Sequence, residues 1–211
     1  MCIRDRDKEI REPLFEYLEE MFGKVRIIEE KTMGKSRADV VMVAEDALVG
    51  IEIKSDADTY ERLERQVKDY NSFFDYNIAA VGTSHAVHIA EHIPSWWGII
   101  TVEEIDGKAD LYYYRKMQRN PKPVDLKKQL SFLWRPELAH IQELNGMAKY
   151  KEKSKRFAAE KILEKIEPEL LKKQICSELL ERDYNEIAEK IAAYRALQPV
   201  RPVGKRRGRR R

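Results

Sequence analysis

The sequence predicts an α/β fold, a mixed sheet flanked by helices, followed by an all-helical extension. Three observations carry this reading. Two Val- and Ile-rich runs, Ala38 to Ala44 and Ala47 to Ile53, read as buried strands joined by the two-residue turn Glu45-Asp46. A strand-like run, Asn77 to Val81, follows an amphipathic helix, as in a parallel crossover. From Arg135 onward only helical spacing recurs.

Taken in order, a first helix runs from a cap at Asp7 to about Met21. Ile10, Leu14, Leu18 and Met21 (or Phe22) recur at helical spacing, and Gly23 ends it. Val25 to Glu30 reads as a strand and Lys31 to Ser36 as a connection containing Gly34. The hairpin follows. Asp58 and Glu61 then resemble a capping box for a helix whose apolar face is Leu63, Val67, Tyr70 and Phe74. After the strand Asn77 to Val81 come a short helix, Ala86 to His92, stopped by Pro94, and a strand, Trp97 to Val102. A last strand, Leu111 to Tyr114, follows the turn Asp106-Gly107. Pro121 and Pro123 flank a polar connector. Helices are expected over Pro136–Leu144, Arg156–Ile166, Glu169–Leu180 and Tyr184–Leu197. The expected organisation is an α/β domain over 1–116, a helical extension over 117–198 and a basic, disordered tail over 199–211. The extension either packs on the α/β part or serves a partner.

Composition narrows the function classes. Charged residues make up 36% and apolar residues 43% of 211 residues, which suits a water-soluble fold with salt-bridged helices. No apolar run approaches the ~20 residues of a membrane span, and the charged N-terminus is not a secretory signal. Two cysteines give neither a disulfide framework nor zinc spacing, so a reducing, cytoplasmic setting is expected. The net charge is +3, but residues 199–211 hold seven basic groups and no acidic one. Without those seven the rest carries −4, so any attraction to phosphate must come from a local patch, a metal or the tail.

The hairpin concentrates chemistry. With Ala44 facing Ala47, the register sets Asp39 across from Glu52 and Arg37 across from Lys54. Opposed residues share a side of the sheet, with Cβ atoms roughly 5 Å apart. Glu52 and Lys54 share that side too, by the two-residue repeat of a strand. Two adjacent carboxylates repel and raise each other's pKa unless a cation joins them. A divalent metal resolves this and leaves Lys54 to face an anion, the arrangement of a metal-dependent phosphodiesterase. The Glu-x-Lys triplet alone is weak, because Glu29-Glu-Lys31, Asp106-Gly-Lys108 and Asp125-Leu-Lys127 also occur. Position at the end of an apolar strand, opposite Asp39, separates Glu52-Ile-Lys54 from these. The competing account is a plain salt bridge of Asp39 or Glu52 with Lys54 or Arg37. Trp96 and Trp97 read as packing residues. His88 and His92 lack a third ligand for a metal.

Arg37-Ala-Asp39, Glu52-Ile-Lys54-Ser-Asp56 and Gln66-Val-Lys-Asp-Tyr70 resemble the PD-(D/E)xK nucleases, the restriction-endonuclease-like superfamily. The last of these is similar to the Gln-x-x-x-Tyr helix motif of the RecB-like branch. Four further stretches resemble a small group of uncharacterised bacterial proteins carrying an "sce" label, related to DNA-repair nuclease-like proteins. They are Ile3 to Asp7, Glu52 to Thr59, Arg62-Leu63 with Arg65-Gln66, and Pro94 to Gly98. The resemblance covers roughly Ile3 to Tyr114. It departs from the superfamily pattern at Ala38, where a proline is common.

The resemblance implies a restriction-endonuclease-like sheet and assigns roles. Asp39 and Glu52 bind Mg²⁺ or Mn²⁺, and the Ile53 carbonyl completes the shell. Lys54 orients the attacking water and offsets phosphate charge, while Gln66 and Tyr70 lean toward the site from one helix face. Glu30 is the expected extra acidic ligand, with Glu29 or Glu16 as substitutes. Hard cations prefer such oxygen donors. The function expected is hydrolysis of DNA phosphodiester bonds, in repair, mobile-element processing or defence, with DNA as the partner and the basic tail touching nucleic acid. The alternative is a catalytically inactive nucleic-acid or protein-interaction module on the same fold.

Overall fold

In a computed structural model, residues 3–182 other than 35 and 107 are described, with side chains from Ile10 onward. The helix expected over Tyr184–Leu197 and the basic tail lie outside the described residues. The elements are α1 (Ile3–Phe22), β1 (Arg26–Met33), β2 (Ser36–Val43), β3 (Leu48–Lys54), α2 (Leu63–Phe73) and β4 (Tyr76–Gly82). There follow α3 (Thr83–Ala86), α4 (Ile89–His92), β5 (Gly98–Ile105), β6 (Lys108–Arg115), α5 (Leu126–Ser131), α6 (Arg135–Leu144), α7 (Lys155–Lys165) and α8 (Pro168–Leu180). The six strands form one mixed sheet in sequence order. β1, β2 and β3 are antiparallel, β3, β4 and β5 parallel, and β6 antiparallel to β5. The α/β architecture with helices on both faces and a helical C-terminal part is therefore present.

All seven residues of β3 are buried, because helices cover both faces of the sheet there. On one face α1 brings Leu14 and Leu18 against Val40, Met42, Val49, Ile51, Ile53 and Ile100. On the other, Leu63, Tyr70, Phe73 and Phe74 from α2 and its C-cap pack on Val41, Val43, Leu48 and Val81. α5 to α8 join that same core through Leu130, Phe132, Leu138, Ile162, Leu171 and Leu179. The described residues up to Leu180 form one compact unit. Of the two arrangements open for the helical segment, its described part takes the first and packs on the sheet. No described helix is long and apolar enough to cross a membrane.

Several boundaries differ from those expected. The first helix starts at Ile3, so Asp7 lies within it rather than capping it. β1 runs on through Met33 and β2 begins at Ser36, with Gly34 (φ +60) in the turn, because Thr32 and Met33 still pair with Arg37 and Ser36. Asp58 does not cap α2, whose start at Arg62 has no side-chain cap. Its carboxylate instead accepts Ser55 N–H and Ser55 Oγ–H, both at 2.8 Å, closing the turn after β3. The polar connector contains α5, capped by Asp125, which accepts the backbone N–H of Lys127 and Lys128. Asp125-Leu-Lys127 is thus a helix cap.

Gly50 lies where β3 passes beneath the aromatic rings of α2. A Cβ at that position would overlap the rings of Phe74 and Tyr70. Gly50→Ala is expected to cost about 1–3 kcal/mol of stability, read as a lower urea midpoint.

Candidate metal centre and its surroundings

The expected hairpin register is kept: Val43 pairs with Leu48, Met42 with Val49, Val41 with Gly50 and Val40 with Ile51. The ladder stops there, one pair short of Asp39 and Glu52. The β1–β2 ladder also skips Glu30 and Asp39, passing from Glu29↔Val40 to Lys31↔Ala38. Glu30 adopts a left-handed backbone (φ +51) at this break. The regular alternation of β2 fails accordingly: Ala38 and Val41 both join the α2-side core.

Side chains fill the parting between the strands. Asp39 Oδ2 accepts the N–H of Ile53 at 3.0 Å, taking the place of a strand carbonyl. The Ile53 carbonyl projects to the same side as that N–H, as both groups of one strand residue do. Tyr70 is fully buried, and its hydroxyl accepts Asp39 N–H at 3.2 Å and donates to the Ile51 carbonyl at 3.1 Å. It bridges two strands that no longer bond each other. Burial, followed by the charges of Glu52 and Asp39, pushes the Tyr70 phenol well above its usual range, so it stays a neutral donor.

Glu52 is 1% exposed, an unusual place for a carboxylate. Its Oε1 receives Lys54 Nζ at 2.8 Å and Gln66 Nε2 at 2.6 Å. Gln66 Oε1 in turn lies 3.4 Å from Lys54 Nζ. Glu52 Oε2 is buried and has no hydrogen-bond partner. Asp39 is half-buried, and its pKa is pushed up to about 7 by burial first and by the Glu52 charge second. The Ile53 N–H, Lys54 and Arg11 oppose that rise. Asp39, Glu52, Lys54, Gln66, Tyr70 and Ile53 are therefore gathered in one place.

Glu30 is not gathered with them. Its half-exposed carboxylate is held by Arg37 at 2.8 Å and Arg11 at 3.8 Å. Arg37, expected across from Lys54, is turned outward into this pair, because the ladder that would have placed it ends at Val40. Glu29 pairs with Arg11 at 3.1 Å. Among the described residues no group of three His, Cys, Asp or Glu side chains is placed to hold one metal. An ion here would take oxygen from Asp39, Glu52 Oε2 and the Ile53 carbonyl, completed by water and substrate. That donor set suits Mg²⁺ or Mn²⁺.

Arg11 was not anticipated. It is buried in α1, and its Nη1 also donates to the Asp39 carbonyl at 3.3 Å, tying α1 to the parted strands. The signal was present in the sequence: Arg11, Leu14 and Leu18 share one helical stripe by their spacings of three and four. Asp56 accepts Ser84 N–H at 2.9 Å and its Oγ–H at 2.7 Å, joining the ends of β3 and β4. Trp97 is buried, as expected. His92 stacks on Tyr60, with ring centroids 4.1 Å apart, and His88 is exposed.

A family profile described as Bacteriophage P4 protein cII matches residues 4–200. Among solved structures, the chain is similar to a protein of unknown function from Silicibacter pomeroyi. Identity there is 16%, TM-score 0.46, and the match covers 69% of this chain and 97% of that one. It is also similar to Pyrococcus furiosus SfsA in complex with Ca²⁺, at 14% identity and TM-score 0.36, covering 54% of this chain and 63% of that one. No curated protein matches.

Asp39 has a folded pKa near 7 against an ordinary value of 3.8. Its contribution to stability is therefore full below pH ~4 and is lost as pH rises toward 7. Asp39→Asn removes that loss. The metal-free variant is expected to be more stable than the parent by about 1–2 kcal/mol at pH 8, a value reduced for the carboxyl's partial exposure, and no more stable at pH 4. Thermal unfolding in EDTA at both pH values measures this. Tyr70→Phe leaves Asp39 N–H and the Ile51 carbonyl without their bridge and is expected to cost about 1–3 kcal/mol.

Proposed function

We propose that this chain, which belongs to the Bacteriophage P4 protein cII family, is a divalent-metal-dependent nuclease that hydrolyses DNA phosphodiester bonds. One observation carries the reading. Burial and the Glu52 charge raise the proton affinity of Asp39 at a break in the sheet, and Glu52 offers a buried oxygen, Oε2, with no hydrogen-bond partner. A buried anionic oxygen without a partner is costly, and a cation relieves both that cost and the repulsion. Mg²⁺ or Mn²⁺ held by Asp39, Glu52 and the Ile53 carbonyl would supply Lewis acidity toward the phosphate and a lowered pKa for the attacking water.

The chain's own residues do the rest. Gln66 fixes both Glu52 and Lys54, so the carboxylate and the ammonium keep one geometry. The Lys54 ammonium orients water against the phosphate and offsets the charge that builds on the phosphoryl oxygens in the transition state. Tyr70 acts through structure, holding the strands apart so that Asp39 can turn toward Ile53. Arg11 anchors the Asp39 backbone from the α1 side. Repair, mobile-element processing and defence are the settings that such a reaction serves. A second reading rests on the Lys54–Glu52 ion pair: its 2.8 Å contact already gives Glu52 a cation, as in a catalytically silent module.

The two readings separate in one set of measurements. A nuclease binds Mn²⁺, followed by electron paramagnetic resonance, and Asp39→Ala or Glu52→Gln weakens that binding by about 10–100-fold. Lys54→Ala keeps Mn²⁺ but loses Mg²⁺-dependent cleavage of DNA by about 10²–10³-fold. Cleavage that survives Asp39→Ala and Lys54→Ala overturns the roles of these two residues. Nucleic-acid binding that ignores chelators, without cleavage, favours the silent module.

A further inference from the structure

The cleft on the α1 side of the sheet, where Glu12, Glu16, Asp56, Glu103 and Glu104 stand against Lys108, does not suit a polyanion. The start of α2 carries a different chemistry. The Arg62 carbonyl accepts the Gln66 N–H at 3.1 Å, so Arg62 already stands in helical phase, one turn or about 5.4 Å ahead of Gln66. By spacings of three and four, Arg62, Arg65, Gln66 and Asp69 share one flank of the helix. The contacts of two of them show where that flank faces. Gln66 reaches Glu52 and Lys54, and Asp69 takes the hydroxyl of Ser36 at the start of β2. The flank therefore borders the gap between β2 and β3 into which Asp39 turns.

Arg62 and Arg65 are exposed on this flank and have no acidic partner among the described residues. Other exposed cations of the chain are held by carboxylates: Arg37 by Glu30, Lys68 by Glu64, and Lys127 and Arg156 by Glu160. The acids beside the two arginines are turned away or used elsewhere. Glu64, two residues from Arg62, lies on the other side of the helix and takes Lys68 at 2.6 Å. Asp69 is spaced for an ion pair with Arg65, yet it takes Ser36. Asp58 is consumed by Ser55, and Glu61 precedes the helix. Two planar guanidinium forks are thus left open next to the candidate site, and such forks match the oxygens of a phosphate.

We propose that Arg62 and Arg65 grip the backbone phosphates next to the one being cut, and so lay the DNA strand across the opening of the Asp39–Glu52 site with its scissile phosphate at Lys54. Gln66 stands between the grip and the chemistry, one turn from Arg62 and in contact with both Glu52 and Lys54. Contacts to phosphate position a strand without reading its bases, so the grip is indifferent to sequence. This inference rests on the nuclease reading for DNA as the ligand. The placement of the two arginines stands on helix phase, exposure and the acids spent elsewhere.

The test is binding of labelled single-stranded and duplex DNA to the full chain, by fluorescence anisotropy over a salt series in EDTA so that nothing is cut. Arg62→Gln and Arg65→Gln are each expected to weaken binding about 10-fold at about 0.1 M salt and to flatten the log–log salt dependence by about 1, equally for all sequences. Both side chains are exposed, so the urea midpoint stays at the parent's value. Arg62→Lys/Arg65→Lys keeps both charges and is expected to keep the parent's slope. Lys122→Gln removes an exposed charge at the other end of the sheet, where Asn120 donates to the carbonyl of Asp75 just before β4, and is expected to leave the slope unchanged. In Mg²⁺ the glutamine variants raise KM and leave kcat near the parent's. Unchanged binding by Arg62→Gln/Arg65→Gln overturns the proposal, as does an equal loss in Lys122→Gln or a slope lost in the lysine pair. A parent that binds no DNA, or a fall in kcat at unchanged KM, overturns it too. The nuclease reading fails separately, by absence of Mg²⁺-dependent cleavage in a parent whose DNA binding depends on both arginines.

Discussion

The parting of β2 from β3 beyond Val40 and Ile51 is the constraint on which the rest depends. A continuous ladder would have spent the Ile53 N–H on a strand carbonyl and left Asp39 as one more alternating side chain. Because the ladder stops, the Asp39 carboxylate can turn into the gap and take that N–H. Buried backbone groups must be paired, so the gap is possible only because Asp39 and the Tyr70 hydroxyl pair them. Tyr70 is in turn set by packing: its ring lies against Phe74 and Trp97, with centroids 5.4 and 5.5 Å away, over a glycine that leaves it room. The chain from Gly50 through Tyr70 to Asp39 is therefore a single mechanical unit.

Electrostatics follows from that unit. Glu52 is buried on the α2 side with one oxygen saturated by Lys54 and Gln66 and the other without a partner. Burial and the Glu52 charge make Asp39 a reluctant anion. A structural ion pair would satisfy both oxygens of the buried acid, and the unpartnered Glu52 Oε2 is what the proposed cation site rests on. The neighbouring acids Glu29 and Glu30 are withdrawn into ion pairs with Arg11 and Arg37. That withdrawal keeps the local charge from becoming more negative where a phosphate would have to approach.

The two faces of the sheet divide the remaining polar surface. The α1 side ends in an acid-lined cleft, whereas on the α2 side Ile89 and Ile93 close over Val81 beside the buried Lys54. The described helical segment, α5 to α8, spends its apolar residues in packing on the sheet.

Much of this was legible from residue order. The continuous apolar, β-branched runs Val40 to Val43 and Leu48 to Ile53, with a two-residue turn, determined the hairpin and its register. The stripe Leu63, Val67, Tyr70 and Phe74 determined which face of α2 turns inward. The register brought Asp39, Glu52 and Lys54 to one side of the sheet, while Gln66 and Tyr70 were assigned to them by the family resemblance rather than by periodicity. Where the ladder would stop was not legible. Whether Asp39 continues a strand or turns into a gap depends on Tyr70 arriving from a helix thirty-one residues away and on the left-handed backbone at Glu30. The same holds for Glu30 and Arg37, whose ion pair forms only because the strand that would have separated them ends early. Arg11 lay in plain sight on an apolar stripe, yet its partners come from β1 and β2. Local sequence sets which way a side chain points along its own element. Only the packing of distant elements decides what stands opposite it, and in a buried site the partner determines the chemistry.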